Sequence, residues 1–575
     1  MGGLCRRGRR RDPSQTAGSA VLPACPSARP SSSPASPCCA PAAAATAPTR
    51  SRRRRRPAIT APAPPRRRRS GGTARWSTRI WVRSFRDSDG NGVGDLRGIT
   101  ASLDYLNDGD PGTDGDLGVD AIWLSPIHPS PSNHGYDVTD YDGVNPAYGT
   151  EQDFDELVAA AHARGLKVVL DFVPNHVSSL HPWFQSAVSS VDSPYRDWFL
   201  WRESDPGWTQ PWSSTRTWHQ RGGAWYYGVF WSEMPDLDWT NPAVADALAD
   251  AAEGWLARGV DGFRLDAVRY LVETGGGQQA DQPGTHAALK GFADRVRAVR
   301  PDALLVGEAW TETDRIAAYF GDTVALPGGD ELGLNFDFPL QGAIGNGVAS
   351  GSGEGIAWVL DDVASHYPAG AGDAPFLSNH DVGRASTGLS TAQKRVALGI
   401  LLTSQGTPTL YYGDELGLPN GTSSCSGDLC YRTPMHWNGT APRGGFTTGT
   451  PWVPLAPGLA TINVATESAD PTSLLSRSRQ LIRLRAGSPA LQRGTTTVLE
   501  SGGGPVLALL RTLDGEAVLV VHNLGATAAT AALPTLTGAP EPLLVDDGAT
   551  VTPGAEAWSV SLPATSTGVW RLAQE

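Results

Sequence analysis

Gly259-Val-Asp-Gly-Phe-Arg-Leu-Asp266 opens on residues that suit a buried strand and closes on a carboxylate. The same form returns twice downstream, in Leu304-Leu-Val-Gly-Glu308 and Phe376-Leu-Ser-Asn-His-Asp381. A short apolar run between turn and helix signals reads as a strand covered on both faces. An acidic residue at the carboxyl end of such a strand stands where parallel barrels gather their polar side chains. Three such ends in one chain call for a fold that brings strand ends together.

Working outward, apolar runs alternate with amphipathic stretches from about residue 79 onward. The expected strands are Ile80–Phe85, Val119–Ile127, Lys167–Val173, Val260–Ala267, Ala303–Ala309, Asn335–Phe338, Pro375–Asp381 and Thr407–Glu415. Between them, Glu151–Arg164 places Phe154, Leu157, Val158 and Ala161 at helical spacing. Asn241-Pro242 starts a helix that runs to Arg258, with asparagine as cap and proline in the first turn. Thr285–Val299 and Thr391–Ser404 read the same way, the latter capped by Ser390. Eight strands with intervening helices predict an α/β fold, a (β/α)8 TIM barrel, over 76–174 and 239–490. The helix of the sixth repeat, rich in Gly and Ala, has no clear position. Two carboxylates facing one sugar bond are the minimum equipment for glycoside hydrolysis, so the strand-end acids make that chemistry the first expectation.

One connection is too long for a barrel loop. Residues 175–238 separate the third strand from the helix at Asn241 and carry Trp183, Trp198, Trp201, Trp212, Trp218, Trp225 and Trp231. Long ordered loops carry function, so this segment reads as a small inserted domain over the barrel mouth. Most of its tryptophans are expected in its own core, with one or two against a ligand. After Ser473–Arg485, the expected last barrel helix, residues 491–575 change texture. Short alternating runs such as Val506–Leu513 and Ala517–His522, split by Gly, Pro and Asp, predict an antiparallel β-sandwich.

The chain has 575 residues and a net charge of −12. Residues 1–72 hold sixteen Arg and the single acid Asp12, so the remainder is strongly acidic. An acidic body argues against nucleic acid as a partner. Residues 1–75, rich in Arg, Pro and Ala, read as a disordered tail or as translation from upstream of the true start. They lack the apolar run of a signal peptide, and no segment is apolar enough to span a membrane. Cys425 and Cys430 lie five apart in a Gly/Ser-rich loop. They suit either a small-loop disulfide, which favours an extracytoplasmic location over a cytoplasmic one, or two free thiols. A monomer is expected.

Asp171-Phe-Val-Pro-Asn-His176, Gly262-Phe-Arg-Leu-Asp266, Gly307-Glu308 and Ser378-Asn-His-Asp381 resemble the four sequence regions of the α-amylase family, glycoside hydrolase family 13, in that family's order. The resemblance runs from about Ile80 to the C terminus. It implies Asp266 as nucleophile, Glu308 as general acid and base, and Asp381 as the third carboxylate that steadies a distorted sugar. A retaining mechanism needs the first two about 5–5.5 Å apart. Arg264, two residues before Asp266, points to the same face and would hold that carboxylate ionised. His176 and His380 resemble the pair that binds sugar hydroxyls at the cleaved bond. Tyr136 and Asp137 match a stacking tyrosine and a subsite aspartate, with Arg384 expected to pair with Asp137. No organic cofactor is implied, and the partner is an α-glucan or oligosaccharide.

Asp87-Ser-Asp89-Gly-Asn91-Gly-Val93-Gly-Asp95 sets oxygen ligands at alternate positions with Gly92 at the turn, the spacing of a calcium loop. Gly98 stands where an EF-hand has its bidentate glutamate. The loop is similar to one in relatives of the oligo-1,6-glucosidases and implies a structural Ca2+ or Mg2+ on Asp87, Asp89, Asn91, Val93 and Asp95; the bland alternative is a metal-free turn. Asn175 resembles the asparagine of a second calcium site, but Arg269-Tyr270 departs from the pattern that goes with it. Glu233-Met-Pro-Asp-Leu-Asp238 resembles the fifth region of the group between oligo-1,6-glucosidases and neopullulanases, and that resemblance implies an α-amylase cleaving α-1,4 bonds inside starch-type chains. Arg432-Thr-Pro-Met-His-Trp437 resembles a segment of α-glucosidases and trehalose-forming enzymes. Exo-acting α-glucosidase, oligo-1,6-glucosidase and trehalose-synthase-like chemistry therefore stand as alternatives.

Overall fold

The computed structural model describes residues 77–573 apart from 325, 327, 423 and 424. The expected tail at residues 1–75 lies outside the described residues. Eight parallel strands form one sheet: β1 Ser77–Ile80, β2 Ala121–Leu124, β3 Lys167–Phe172, β4 Gly262–Leu265, β5 Leu304–Gly307, β6 Leu334–Phe336, β7 Gly372–Ala374 and β8 Thr409–Tyr411. Neighbours follow chain order from β1 to β7, and β8 pairs with β1. A parallel bridge between Phe376 and Thr409 closes the ring. The fold is thus a (β/α)8 barrel.

Two expected strands are corrected. The run Ile80–Phe85 is strand only at its first residue; Val82–Phe85 is a helical turn whose Val82 N–H is held by Ser125 Oγ at 3.1 Å. The run Pro375–Asp381 is displaced, since ladder pairing ends at Ala374 and only Phe376 makes one further bridge. Pro375 has no N–H to donate and so interrupts the ladder. Freed from pairing, the segment to Asp381 can turn over the barrel mouth.

Helix starts follow the sequence closely. Thr150 and Asp153 form a reciprocal capping box at Glu151–Ala163, and Ser390 with Gln393 does the same at Thr391–Thr403. Asn241 caps Pro242–Ala257. The sixth repeat contains two helices, Phe338–Ser350 and Glu354–His366, with Asp337 capping the first. The fifth has only the short Thr313–Ala318.

Strand residues alternate between a barrel interior and the helix layer. Trp123, Val169, Leu304, Val306, Leu334, Phe336, Ala374 and Phe376 fill the interior, while Ile122, Leu124, Val168, Leu170 and Phe263 join the larger core under the helices. Arg79, Asp171 and Arg264 take the remaining interior register positions: Arg79 lies beside Trp123 and Tyr411, and Asp171 beside Arg264. Polar residues at the top of an apolar barrel interior are the first structural sign of a site.

The insertion carries a helix, Pro182–Ser189, and a small antiparallel sheet, Trp201–Arg202, Trp218–Arg221 and Ala224–Tyr227. A bridge between His176 and Asp236 ties its two ends together. Beyond the barrel, five- and three-stranded antiparallel sheets share a core that includes Val521, Trp558, Val560 and Trp570. Cys425 and Cys430 are disulfide-bonded, and no helix among the described residues is long and apolar enough to cross a membrane.

Candidate active site

Asp171, Asp266 and Glu308 stand at the carboxyl ends of β3, β4 and β5, and Arg264 binds all three. Its Nη1 donates to Asp171 Oδ1 at 2.7 Å and to Asp266 Oδ1 at 2.6 Å, and its Nη2 lies 2.7 Å from Glu308 Oε1. One planar guanidinium therefore fixes the orientation of both carboxylates. The second oxygen of Glu308 accepts the Ala267 N–H at 3.2 Å. Ala267 holds a left-handed backbone, φ 51°, unusual for a residue with a side chain. That turn directly follows Asp266 and aims the amide at Glu308, an instance of backbone strain concentrated at a site.

Arg79 adds a second buried cation 3.6 Å from Asp171. Two guanidinium groups thus face three buried carboxylates. Burial raises the Asp266 and Glu308 carboxyls, and neighbouring negative charge raises them further, against the pull of Arg264. Both carboxyls are therefore harder to ionise than exposed ones, and Arg264 is the main group that opposes this.

Asp381 differs. Burial alone would raise it, but His380 Nε2 at 2.9 Å and Arg432 Nη2 at 3.0 Å bring it below the usual carboxylate range. His380 is stacked between Trp81 and Tyr136, with ring centroids 5.2 and 5.0 Å away. Burial and the Arg79 charge hold it neutral. His176 is buried, its pKa lowered to about 3 by burial, and its Nε2 has no partner among the described residues.

His134, Tyr136, His176, Asp266, Glu308, His380 and Asp381 line one cavity of about 1180 Å³. Above them Trp212, Phe230 and Tyr270 come together from the insertion and the loop after β4, and Trp310 stacks on Phe338 at 4.5 Å. Trp212, half exposed, is the one insertion tryptophan in this wall; Trp218 is buried in the insertion's own core.

The expected pair of Asp137 with Arg384 does not form. Asp137 accepts the hydroxyls of Ser130 and Ser132, each at 2.5 Å. Arg384 lies under the next strand end, donates to the Tyr412 carbonyl at 2.8 Å and sits 3.9 Å from Asp414. Arg432 occupies the position at Asp381, reaching it from the loop after β8. Sequence reading also passed over Arg79, Asp171 and Trp310. Asp171 was visible as the first residue of its motif; an arginine in β1 carries no local signal.

At the metal-type loop, Asp87, Asp89 and Asp95 converge, one oxygen from each lying within 4.8 Å of the others. Asp89 also accepts the Asn91 amide, and Asn91 Oδ1 accepts the Val93 N–H at 2.7 Å. Gly92 has φ +93°, and a Cβ there would meet the Thr450 carbonyl oxygen at 1.9 Å, so only glycine fits. Burial would raise Asp87, but the Thr447 hydroxyl and the N–H groups of Gly92, Gly90 and Asp89 hold its carboxyl low.

A (β/α)8 barrel with acidic residues gathered around one guanidinium at its strand ends has the build of a barrel enzyme's active site. The profile "Alpha amylase, catalytic domain" matches residues 79–494. The chain is 36% identical over 452 residues to "Alpha-amylase 3" of Dictyoglomus thermophilum, covering 77% of this chain and 83% of that one. It is 34% identical over 504 residues to a trehalose synthase of Pimelobacter sp., covering 77% and 85%. The crystal structure of an α-amylase from H. orenii superposes with a TM-score of 0.77 at 35% identity, covering 87% of this chain and 99% of that one. The chain belongs to the α-amylase family, glycoside hydrolase family 13.

Proposed function

We propose that the protein is a retaining hydrolase of α-1,4-glucosidic bonds in starch-type chains and maltooligosaccharides, of α-amylase type. The observation that carries this reading is Arg264 holding Asp266 and Glu308 side by side at the floor of a wide cavity. Asp266, oriented and charge-stabilised by that guanidinium, attacks the anomeric carbon. Glu308, whose carboxyl burial raises, acts as the general acid and gives its proton to the departing oxygen. As a carboxylate it then takes a proton from water, which releases the sugar from Asp266. Asp381, held ionised, faces the positive charge that develops on the ring. His176 offers its unpartnered Nε2 to a hydroxyl, and Tyr136 offers its ring face. The cavity exceeds the ~300–1000 Å³ of an ordinary small-molecule pocket, which favours a substrate longer than a disaccharide.

Asp87, Asp89 and Asp95, with Asn91 and the Val93 carbonyl, would hold a structural Ca2+ or Mg2+. Three converging carboxylates and an oxygen-only donor set suit a hard cation. When bound, the ion would offset most of the charge of the three carboxylates; no catalytic step runs through it.

A second reading has one specific observation behind it. Arg432 and Asp428 reach into the cavity from the loop after β8, and Arg432 pairs with both Asp381 and Asp428. Groups at that position narrow the end of a cleft, as an exo-acting α-glucosidase or a trehalose-synthase-like isomerase requires. Maltoheptaose blocked at its non-reducing end separates the readings. Internal cleavage to shorter blocked oligosaccharides supports the α-amylase type. No cleavage, with glucose released from the unblocked sugar, refutes it in favour of exo action. Conversion of maltose to an isomer of equal mass refutes it in favour of isomerisation.

A further inference from the structure

Arg79 points into the barrel from β1 and is 1% exposed. Its Nη2 donates to the Tyr136 hydroxyl at 2.9 Å, and its Nη1 meets Nδ1 of His380. A guanidinium only donates, and it keeps its charge in proteins. Nδ1 of His380 must therefore accept. The ring proton then lies on Nε2, which stands 2.9 Å from Asp381 Oδ2 and donates to it. Trp81 and Tyr136 clamp the ring from both faces, so it cannot flip to exchange the two nitrogens.

We propose that Arg79 is a positioning residue that locks His380 in the uncharged Nε2–H tautomer and so keeps a neutral donor on Asp381. The proposal rests on the reading of Asp381 as the third carboxylate. An imidazolium would carry a proton on each nitrogen, one of them aimed at the Arg79 N–H groups. It would also cancel the Asp381 charge that faces the sugar. The groups around the ring are Arg79 from β1, Asp171 from β3 behind the Tyr136 hydroxyl, Asp381 beside it in the chain, and Arg432, whose Nε donates to the His380 carbonyl at 3.1 Å. Burial, Arg79 and Arg432 oppose the imidazolium and Asp381 favours it; removing Arg79 takes away the larger of the two opposing charges and opens the ring to solvent.

The test uses the full-length protein labelled with 13C at histidine Cε1, the His380 signal being identified by its loss in His380→Asn. In the wild type the signal holds its neutral position between about pH 7.5 and pH 5, where an ordinary histidine changes charge. In Arg79→Gln it titrates within that range, and kcat on maltoheptaose falls about 10- to 100-fold, the scale of a misplaced catalytic partner, with a smaller change in KM. Arg79→Lys, which keeps a donating cation, restores the neutral signal and part of kcat. Titration of His380 in the wild type overturns the proposal even if no Arg79 variant folds. A folded Arg79→Gln whose His380 does not titrate overturns it as well. Absence of α-glucan cleavage by the wild type would instead defeat the functional reading and leave the tautomer result standing.

Discussion

Replacing Glu308 by glutamine removes the transferable proton and the charge that faces Arg264 Nη2, while keeping a polar side chain of the same size. The glutamine carbonyl can accept from Arg264 Nη2, which lies 2.7 Å from Glu308 Oε1, or from the Ala267 N–H, which Glu308 accepts at 3.2 Å, but not from both. Arg264 keeps its 2.7 and 2.6 Å bonds to Asp171 and Asp266, so the floor of the cavity stays assembled. The loss that the leaving group feels is then the proton itself. General acid catalysis is worth about 10²–10⁴-fold, or ~2.7–5.5 kcal/mol at 1.36 kcal/mol per tenfold. On maltoheptaose, whose leaving group is a sugar hydroxyl, kcat should fall by that factor with a melting temperature close to the wild type. On α-glucosyl fluoride, whose leaving group departs without protonation, bond cleavage should lose far less. The two substrates measured side by side give the ratio of losses. Equal losses on both would mean that Glu308 acts by position or charge, and the acid assignment would be refuted.

Other outcomes follow from the same geometry. Asp266→Asn should abolish turnover of every substrate, the fluoride included, while the protein stays folded; activity near the wild type would exclude Asp266 as nucleophile. Chelation should lower the melting temperature, and calcium titrated into the chelated protein should give saturable heat, with both effects lost in Asp89→Ala; a chelator-insensitive wild type would remove the metal from the loop. Asp261, at the opposite end of the barrel, is bound by His162, Lys167, Arg300 and the Val168 N–H, which hold its pKa at about 2 against the pull of burial. Its contribution is complete above the ordinary aspartate value and is lost as pH falls from about 4 to about 2, an amount of roughly 2 kcal/mol. Asp261→Asn should therefore be less stable at neutral pH, and the gap should close in acid melts; a gap constant with pH would contradict the linkage.

Periodicity was enough to read most of the barrel, because most strands are short apolar runs and several helices have their cap in the neighbouring residues, as at Thr150, Asn241 and Ser390. Where a local rule competes with the pattern, the reading slipped. Pro375 interrupts a run that is otherwise strand-like, and Val82–Phe85 turns on a hydroxyl contributed by Ser125. The expected C-terminal antiparallel sheets are present, since alternation survives in short antiparallel strands; the small sheet inside the insertion was not read from the sequence.

The chain by itself determined which acids follow the apolar runs, and so marked Asp266, Glu308 and Asp381 as residues of one barrel rim. That information is local: an apolar run, a carboxylate and a turn. Only the tertiary structure decided which cation meets which acid. Arg432 rather than Arg384 reaches Asp381, and Arg79 closes on His380 from 301 residues away. Such pairings depend on loop paths and on which of several buried arginines finds the nearest unpaired acceptor. The cost of leaving a buried charge unpaired is large, so folding settles these contacts between residues distant in the chain.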